Sequence, residues 1–330
     1  MTAASPQDPS APPIAPGGPS APDRGRLQVL VTNDDGVDSP ALPPLVRAVA
    51  PLGTIDVVAP DGERSWSGKH LSRLERIPIA AVTRDGVDMV AVGGSPADAA
   101  QIGCHRGHTT DLVLSGINLG HNHGTAFLMS SGTVGAAIEA GLTGHRAIAL
   151  STGIVEGDFM AWRRHAHSPQ ARGDWERVAA VAAAVVDDIL ESGLLDHCDV
   201  VSVNLPWEVE HATERVLTAI ARTGYGPVYA REVEGDDQPR RGLVAPGGRR
   251  PEDTVAIRAP LHTDAGATAE PIEHWVPSYS GLRFLDDDLA GTDIGAAHDG
   301  HVSITPVRLP RAADVPDRVA TRLADRNGRA

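Results

Sequence analysis

From Leu27 onward, short apolar runs alternate with longer segments of helical periodicity, and this alternation is the strongest constraint on the fold. The runs predicted as strands are Val29–Val31, Ile55–Ala59, Val87–Val92, Leu112–Ser115, Ala147–Ser151 and Val200–Asn204. The segments predicted as helices are Ala41–Ala50, Pro96–Cys104, Val134–Gly141 and Trp175–Leu190. Strands that alternate with helices form βαβ units, whose strands pair in parallel. The sequence therefore predicts an α/β fold with a largely parallel sheet flanked by helices.

Composition limits the core and the partners of this chain. Hydrophobic residues make up 41% of the 330 residues but aromatic residues only 3%, so small aliphatic side chains must fill the core. The formal net charge of -14 makes a nucleic-acid duplex or an anionic membrane a poor partner. A small phosphorylated substrate stays open, because a bound metal ion reverses the local sign of charge.

Two cysteines, Cys104 and Cys198, are too few for a disulfide framework or a structural zinc site. The sequence contains no apolar run of about 20 residues, the length that spans a bilayer. Its N-terminus lacks the basic and apolar regions of a signal peptide. These features predict a cytoplasmic protein without a membrane partner.

The chain divides into a leader, a folded domain and a tail. Residues 1–26 are rich in Pro, Ala, Ser and Gly and are predicted to be disordered. The folded domain is expected over residues 27–310, with a flexible tail over residues 311–330. Two polar segments, Arg163–Arg172 and the charged, Gly/Pro-rich Glu232–Glu252, are interpreted as solvated loops or insertions, the second as a loop or an exposed hairpin arm.

Asp34 and Asp35 follow the first predicted strand directly, within the sequence Asn33-Asp34-Asp35-Gly36. Open α/β sheets bind their ligands at the carboxyl ends of strands. Adjacent carboxylates repel each other and lose hydration when buried, and a divalent cation would offset both costs. The same four residues also suit an ordinary turn, so the tetrapeptide alone does not decide between the two.

Three more polar segments follow predicted strands, at residues 59–68, 93–98 and 115–124. Parallel strands share one carboxyl edge, so these segments are expected to lie on the same rim as the aspartates. Asp, Ser and Asn oxygens on that rim suit a hard cation such as Mg²⁺, Mn²⁺ or Ca²⁺. The segment Ser130–Gly135 opens a predicted helix and would hold a phosphate at its N-terminus, although it also suits an ordinary Ser cap.

Taken in order, the motifs resemble those of the SurE family, the survival-protein 5'/3'-nucleotidases, over about residues 27–308. The motifs that carry the resemblance are Thr32–Gly36, Val58–Asp61, Arg64-Ser65, Gly94–Asp98, Ser115–Asn118, Ser131–Val134, Val203–Pro206, Thr292-Asp293 and Val302–Pro306. Each motif is short and unspecific by itself, but the ordered set is specific.

The resemblance implies a Rossmann-like domain with a β-rich C-terminal extension, here about residues 225–285, that takes part in homodimer or homotetramer assembly. It implies a metal-dependent phosphatase of nucleoside 5'- or 3'-monophosphates that releases nucleoside and phosphate. The single divalent ion, Mg²⁺ or Mn²⁺ with Ca²⁺ as a third option, would be held by residues that match the family's ligands: Asp34, Asp35, Ser65 and Asn118. All four are intact in this sequence.

The mechanism inferred from this match is metal-assisted hydrolysis of a phosphomonoester. Asp34 and Asp35 are the predicted catalytic residues, and either could receive the proton of the attacking water. The predicted contacts to the remaining phosphate oxygens are Asn122, Ser131, Gly132 and Thr133.

Several residues depart from the family pattern or remain open. Residues 124–130 are unusually apolar for the family, so the sequence does not predict how the substrate side of the site is lined. Trp66 stands where a small residue is common, and core packing is favoured over stacking on a base. His70, His121 and His123 are candidates for a general acid, and Cys104 is expected in a helix core.

Three other functions remain as alternatives. A specialised-metabolite phosphomonoester would use the same chemistry. A non-catalytic binding or assembly protein is disfavoured by the intact ligand set. A dinucleotide-dependent oxidoreductase is disfavoured because the first strand meets carboxylates instead of a GxGxxG turn.

Overall fold

The computed structural model describes residues 26–107, 109–231, 261–262, 268–269, 275–277 and 282–310. The predicted leader, the predicted tail from residue 311 and the Glu232–Glu252 segment lie outside these residues, apart from Arg26. Within the described part, no helix is long and apolar enough to cross a bilayer.

Nine strands form the central sheet. In chain order they are β1 (Leu27–Thr32), β2 (Gly53–Pro60), β3 (Ile79–Arg84), β4 (Val87–Val92), β5 (Leu112–Leu119), β6 (Arg146–Gly153), β7 (Val200–Pro206), β8 (Arg215–Leu217) and a last strand, Val302–Val307, which is β15 in the numbering of the whole chain. The shorter strands between them are β9 (Thr223–Tyr225), β10 (Tyr229–Arg231), β11 (Leu261–His262), β12 (Thr268–Ala269), β13 (Trp275–Pro277) and β14 (Leu282–Phe284).

The helices are α1 (Leu42–Val49), α2 (Pro96–His105), α3 (Gly124–Ser130), α4 (Gly132–Leu142), α5 (Phe159–Ala166), α6 (Arg172–Ser192) and α7 (Asp293–His298). Short 3₁₀ turns cover Ala50–Leu52, Pro169–Ala171 and Leu194–Asp196. Every helix and strand predicted from the sequence is present, and most of their ends agree with the prediction within three residues. The largest difference is at β5, which extends four residues beyond its predicted end.

The sheet order is β3-β4-β2-β1-β5-β6-β7-β15-β8. Six neighbouring strands, from β4 to β7, are parallel, whereas β3 and β15 pair antiparallel with their inner neighbours. This arrangement confirms the predicted α/β fold with a largely parallel sheet. From β1 the chain order runs outward in one direction through β2 and β4, and from β5 in the other through β6 and β7. The switch point of the sheet therefore lies between β1 and β5.

Helices cover both faces of this sheet. One hydrophobic cluster joins Val29 and Val31 of β1 to α1 and α6, and a second joins Leu30 to Ala and Val side chains of α2 and α4. Cys104 is buried in the second cluster, as the sequence predicted. Alternate residues of β1 thus face opposite helix layers, which is the period of a strand buried on both sides.

The C-terminal strands form small antiparallel pairs, β9 with β14, β10 with β13 and β11 with β12. These pairs fit the expected β-rich extension over about residues 225–285. Its predicted role in oligomer assembly remains a prediction.

The loop predicted over Arg163–Arg172 is wrong. This segment holds the end of α5, a 3₁₀ turn and the start of α6. Asp158 caps α5, because its carboxylate accepts hydrogen bonds from the backbone of Met160 and Ala161 at 2.9 and 3.0 Å. Arg163, Ala166 and Ala171 are buried, whereas most of the other residues are exposed, so the segment is an ordered helical connection with a solvated side.

Candidate functional site

The candidate site lies at the carboxyl ends of β1 and β5, at the switch point where open α/β sheets bind their ligands. Asp34 and Asp35 follow β1, and Asn118 lies near the end of β5. The loop after β2, which carries Ser65, and the N-terminus of α4 complete the site. Four segments far apart in sequence therefore meet at one edge of the sheet.

Asn33, and not the aspartates, makes the side-chain hydrogen bonds of the turn that follows β1. Its amide group donates to the carbonyl of Gly36 and accepts from the Gly36 N–H, both at 3.0 Å. Gly36 has a φ of 85°, and a Cβ there would lie 2.7 Å from the carbonyl carbon of Gly62. Only glycine suits this position. The tetrapeptide therefore forms the turn, and that turn leaves two carboxylates for other contacts. Their role as metal ligands remains a prediction.

The two carboxylates contact different elements of the fold. Asp34 is 2% exposed, and its Oδ1 accepts a short hydrogen bond from the hydroxyl of Thr133. Asp35 is half-buried, and its Oδ2 accepts a hydrogen bond from the backbone of Leu119 at 3.2 Å. Asp34 is thus tied to α4, and Asp35 to the end of β5.

Asn118 lies next to this pair. The register between β5 and β6 shifts between Ser115 and Asn118, so the strand is irregular where the amide enters the site. The Nδ2 of Asn118 donates to the carbonyl of Gly120 at 2.6 Å. Its Oδ1 lies 3.3 Å from the Thr133 hydroxyl, which also binds Asp34, so an amide oxygen and a carboxylate share one neighbour.

The loop after β2 brings Ser65 to the site together with a third carboxylate. The backbone N–H of Arg64 donates to the carbonyl of Asp34 at 2.7 Å, which fixes the loop against β1. The hydroxyl of Ser65 donates to Glu63 Oε1 at 2.7 Å, and the buried Arg163 of α5 donates to the same oxygen at 2.9 Å. Neither Glu63 nor Arg163 was predicted from the sequence to be a site residue. Glu63 adjoins a recognised motif, but Arg163 is 100 residues away and carries no sequence signal.

The predicted phosphate contacts lie around the N-terminus of α4. Ser131 caps this helix, and its hydroxyl accepts a hydrogen bond from the Val134 N–H at 3.1 Å. A Cβ on Gly132 would come within 2.7 Å of Asp34 Cβ and 2.8 Å of Ser67 Oγ, so this backbone lies directly against the carboxylate. A ligand oxygen bound by the helix N-terminus would therefore be close to Asp34.

Asn122 is buried and already bonded within the protein. Its backbone N–H donates to Asn204 Oδ1 at 2.8 Å, and its Nδ2 donates to Ser151 Oγ at 2.9 Å. The amide NH2 has a second hydrogen, so a phosphate contact would not require loss of the bond to Ser151. The roles of Asn122, Ser131, Gly132 and Thr133 in phosphate binding remain predictions.

The carboxylates of the site carry more negative charge than their surroundings compensate. Burial raises the pKa of Asp35 well above its usual value, and the charges of Asp34 and Glu63 raise it further. Burial also raises the pKa of Asp34, although its bonds to Thr133 oppose this shift. Arg163 is the cation that lowers the pKa of Asp35. A bound cation would remove the remaining cost of ionising both groups.

The four predicted metal ligands fit a hard divalent cation. They comprise two carboxylates, one hydroxyl and one amide oxygen, which is the donor type that Mg²⁺, Mn²⁺ and Ca²⁺ prefer. Among the described residues, no group of three or more His, Cys, Asp or Glu side chains is arranged to hold a metal ion. The site therefore depends on Ser65 and Asn118 to complete the set that Asp34 and Asp35 begin.

The candidate histidines differ in environment. His70 is exposed, whereas His121 and His123 lie beside the site with their ring centroids 5.1 Å apart. Burial lowers the pKa of His121 to about 3, and burial lowers that of His123 as well. Both imidazoles are therefore neutral near pH 7. His121 Nε2 lies 3.1 Å from the carbonyl oxygen of Leu205.

Core packing of Trp66, expected from the sequence, is wrong. The side chain is 43% exposed, and its backbone has a φ of 63°. The Arg64 bond to Asp34 on one side and a bond from Gly68 N–H to the Ser130 carbonyl on the other hold this loop across the rim of the site. The indole consequently lies at the surface, beside Ser65.

Comparison with known proteins gives consistent matches over most of the chain. The family model of "Survival protein SurE" matches residues 29–227. A "5'-nucleotidase SurE" of Methanothrix thermoacetophila is 32% identical over 293 residues, which are 87% of this chain and 95% of the relative. One of Archaeoglobus fulgidus is 31% identical over 291 residues, 88% of this chain and 94% of the relative.

A solved structure agrees with these sequence matches. The crystal structure of a SurE protein from Aquifex aeolicus is similar to this chain with a TM-score of 0.57 and 25% sequence identity. The similarity covers 86% of this chain and 94% of the Aquifex chain. The resemblance identified from ordered motifs is thereby confirmed, and the chain belongs to the SurE family.

Proposed function

We propose that this protein is a divalent-metal-dependent phosphomonoesterase that hydrolyses nucleoside 5'- or 3'-monophosphates to nucleoside and phosphate. The observation that carries the proposal is the meeting of two adjacent carboxylates, Asp34 buried and Asp35 half-buried, with the N-terminus of α4 at the switch point of the sheet. A cation site and an anion site then lie side by side, as phosphate ester hydrolysis requires. The curated relatives that match most of the chain are named 5'-nucleotidases.

Asp34, Asp35, Ser65 and Asn118 would hold one divalent ion, with Mg²⁺ and Mn²⁺ preferred and Ca²⁺ as a third option. When bound there, the ion would polarise a phosphate oxygen and lower the pKa of a water molecule. The turn made by Asn33 positions both carboxylates before any ligand arrives. The Glu63 carboxylate holds the Ser65 hydroxyl, and Arg163 holds Glu63.

The remaining phosphate oxygens would be bound by Ser131, Gly132 and Thr133 at the start of α4, with Asn122 from the loop after β5. Backbone N–H groups at a helix N-terminus carry partial positive charge, which stabilises an anion and the charge that develops in the transition state. One of the two carboxylates, Asp34 or Asp35, receives the proton of the attacking water. The leaving ribose oxygen departs on the opposite side of phosphorus.

The proposal includes assembly and location. The extension at about residues 225–285 would join protomers into a homodimer or homotetramer. Both cysteines are free thiols, which suits a reducing cytoplasm. A nucleic-acid duplex and a membrane are not partners in this proposal, since the chain has a net charge of -14.

A second substrate class shares the same chemistry. Met129, within the apolar segment of residues 124–130, is 62% exposed close to the start of α4. An exposed apolar side chain beside a phosphate site also suits a phosphomonoester of a specialised metabolite. Relative kcat/KM values decide between this class and the nucleotides.

Release of inorganic phosphate from a panel of mononucleotides and sugar phosphates, with Mg²⁺, Mn²⁺ and Ca²⁺ in turn, tests the proposal. We expect hydrolysis that requires a metal and favours nucleoside monophosphates. A preference of several orders of magnitude for a non-nucleotide ester would select the second substrate class. No release with any metal would reject an enzymatic function and leave a binding protein.

The variant Asp34→Asn tests the site itself. We expect it to fold, because an amide of the same shape can still accept the Thr133 hydrogen bond, and to lose at least about 100-fold in metal-dependent kcat/KM. The matched control is Asp38→Asn, since the Asp38 side chain is 70% exposed and pairs with Arg84 away from the site. Turnover by Asp34→Asn at the wild-type rate would contradict the assignment.

A further inference from the structure

Three aromatic side chains form a wall on the rim of the candidate site. Trp66 comes from the loop after β2, Phe127 from α3 and Tyr225 from β9. The Trp66 ring centroid lies 5.9 Å from that of Phe127, with the rings edge to face, and 6.0 Å from that of Tyr225. Trp66 is 43% exposed and Tyr225 38% exposed. Phe127 is half-buried, so in a chain with 3% aromatic residues two exposed rings meet a third outside the core.

Hydrogen bonds fix the wall beside the phosphate end of the site. Two residues before Trp66, the Arg64 N–H donates to the carbonyl of Asp34 at 2.7 Å. Two residues after it, the Gly68 N–H donates to the carbonyl of Ser130, directly before the α4 cap, at 2.9 Å. The Trp66 backbone therefore spans from the carboxylates to the helix N-terminus, and Ser65 and Ser67 lie on either side of it.

The backbone of Trp66 is strained. A φ of 63° lies in the left-handed region, which bulky side chains rarely occupy and which glycine adopts freely. Such strain usually persists at binding sites, where a particular side chain must be presented. The indole remains 43% exposed, so burial of the ring is an incomplete explanation for its presence at this position.

We infer that the Trp66–Phe127–Tyr225 wall is the subsite that binds the nucleobase of the substrate by stacking. The inference rests on the proposed function and names the residues that would determine which phosphate esters the enzyme prefers. A phosphate at the start of α4 would place the rest of the ester next to the wall, and a planar base has a face that aromatic rings bind regardless of base identity. The subsite therefore favours a nucleoside monophosphate over a sugar phosphate without a base.

Another aromatic residue beside the site offers a different place for the base to stack. Phe159, at the start of α5, is 44% exposed, and a Cβ on Gly120 would lie 3.8 Å from its ring. It therefore adjoins the β5 end of the site. A base stacked there would depend on Phe159 and not on Trp66.

The variant Trp66→Gly removes the indole and suits the left-handed backbone, so it is expected to fold. We expect the ratio of kcat/KM for 5'-AMP to kcat/KM for ribose 5-phosphate to fall about tenfold, mainly through KM for 5'-AMP. Trp66→Phe should recover most of the ratio, because it restores a ring. Phe159→Ala is the matched control and should leave the ratio near its wild-type value.

Adenosine binding, followed by ligand-observed NMR, gives a readout that needs no turnover. We expect Trp66→Gly to raise the Kd of adenosine about tenfold and Phe159→Ala to leave it near wild type. Equal loss on both esters with unchanged adenosine binding would overturn the inference, since Trp66 would then only position Ser65. A loss confined to Phe159→Ala would also overturn it. If no ester is hydrolysed, the proposed function fails, and the adenosine titration alone decides the inference.

Discussion

Asn33, Asp34 and Asp35 are consecutive residues with three different tasks. Asn33 closes the turn through two hydrogen bonds to Gly36, Asp34 accepts from the Thr133 hydroxyl, and Asp35 accepts from the backbone of Leu119. Because the turn is made by Asn33, neither carboxylate is needed to form it. Their burial therefore costs stability that the Thr133 bonds and the charge of Arg163 offset in part. A ligand of opposite charge would offset the rest, and this is the physical reason to regard them as a candidate cation site.

The lowered pKa of His121 makes the stability of the protein depend on pH. Burial lowers its pKa to about 3 in the folded protein, against about 6.5 in the unfolded chain. Between these values the unfolded chain binds the proton and the folded protein does not, so stability falls as the pH decreases from 6.5 toward 3. At pH 5 this histidine alone accounts for a loss of about 1 to 2 kcal/mol.

The variant His121→Gln measures this contribution. Glutamine can still donate to the carbonyl of Leu205 but does not titrate. We expect its free energy of unfolding, from urea titrations without metal, to fall less than that of wild type between pH 7.5 and pH 5. His211→Gln, at an exposed position, is the control. Parallel losses in wild type and His121→Gln would show that His121 is not the titrating group.

An ion pair connects α5 to the loop that carries Ser65. Arg163 and Glu63 lie 2.9 Å apart, with side chains 8% and 20% exposed. Glu63 in turn accepts the Ser65 hydroxyl and lies close enough to Asp34 and Asp35 to raise their pKa values. The positive charge of α5 thus partly neutralises a group of three carboxylates.

Removal of the Arg163 charge alone should destabilise the protein more than removal of both charges of the Arg163–Glu63 pair. In Arg163→Met, Glu63 is left buried and unpaired beside two other carboxylates, and we expect a loss of about 3 kcal/mol. The double variant with Glu63→Gln should recover much of this loss, because the amide keeps the Ser65 contact without a charge. Urea unfolding of both single variants and the double variant completes the cycle. Additive losses would mean that the two residues do not interact energetically.

The parts of the fold that the sequence predicted are those with a local pattern. The Val29–Val31 run, the Ala and Val residues of α6 and the Pro96 start of α2 each signal their own element. At α2 the signal extends to the cap, since Ser95 and Asp98 bond each other's backbone N–H groups.

The parts that the sequence did not predict depend on contacts between distant segments. α5 has eight residues, and it is stabilised by packing of its own Trp162 against Trp207, which follows β7. Trp207 in turn packs against Trp175 of α6. Trp66 was expected in the core because it is large and apolar. It is at the surface because hydrogen bonds of neighbouring residues hold its loop across the rim.

At the scale of the whole molecule, the topology explains why the site forms at this edge. β1 and β5 are adjacent and parallel, and their following segments leave the sheet in opposite directions. Ligands of open α/β sheets bind at this switch point, and here the N-terminus of α4 lies directly against Asp34. Long-range order in the sheet thus brings together residues that are far apart in sequence, such as Asp34 and Thr133, which are 99 positions apart.

The proposed ligand set of Asp34, Asp35, Ser65 and Asn118 would form only in the folded protein, so a bound metal should stabilise the whole domain. At a concentration 100 times its Kd, a metal ion adds about 2.7 kcal/mol to the free energy of unfolding, which raises Tm by about 4 °C in a domain of this size. We expect this increase with Mg²⁺ or Mn²⁺ and its reversal by EDTA. Asp34→Asn should abolish the increase, whereas Asp38→Asn, with its exposed side chain, should retain it. An equal increase in Asp34→Asn would mean that the stabilising metal binds elsewhere on the molecule.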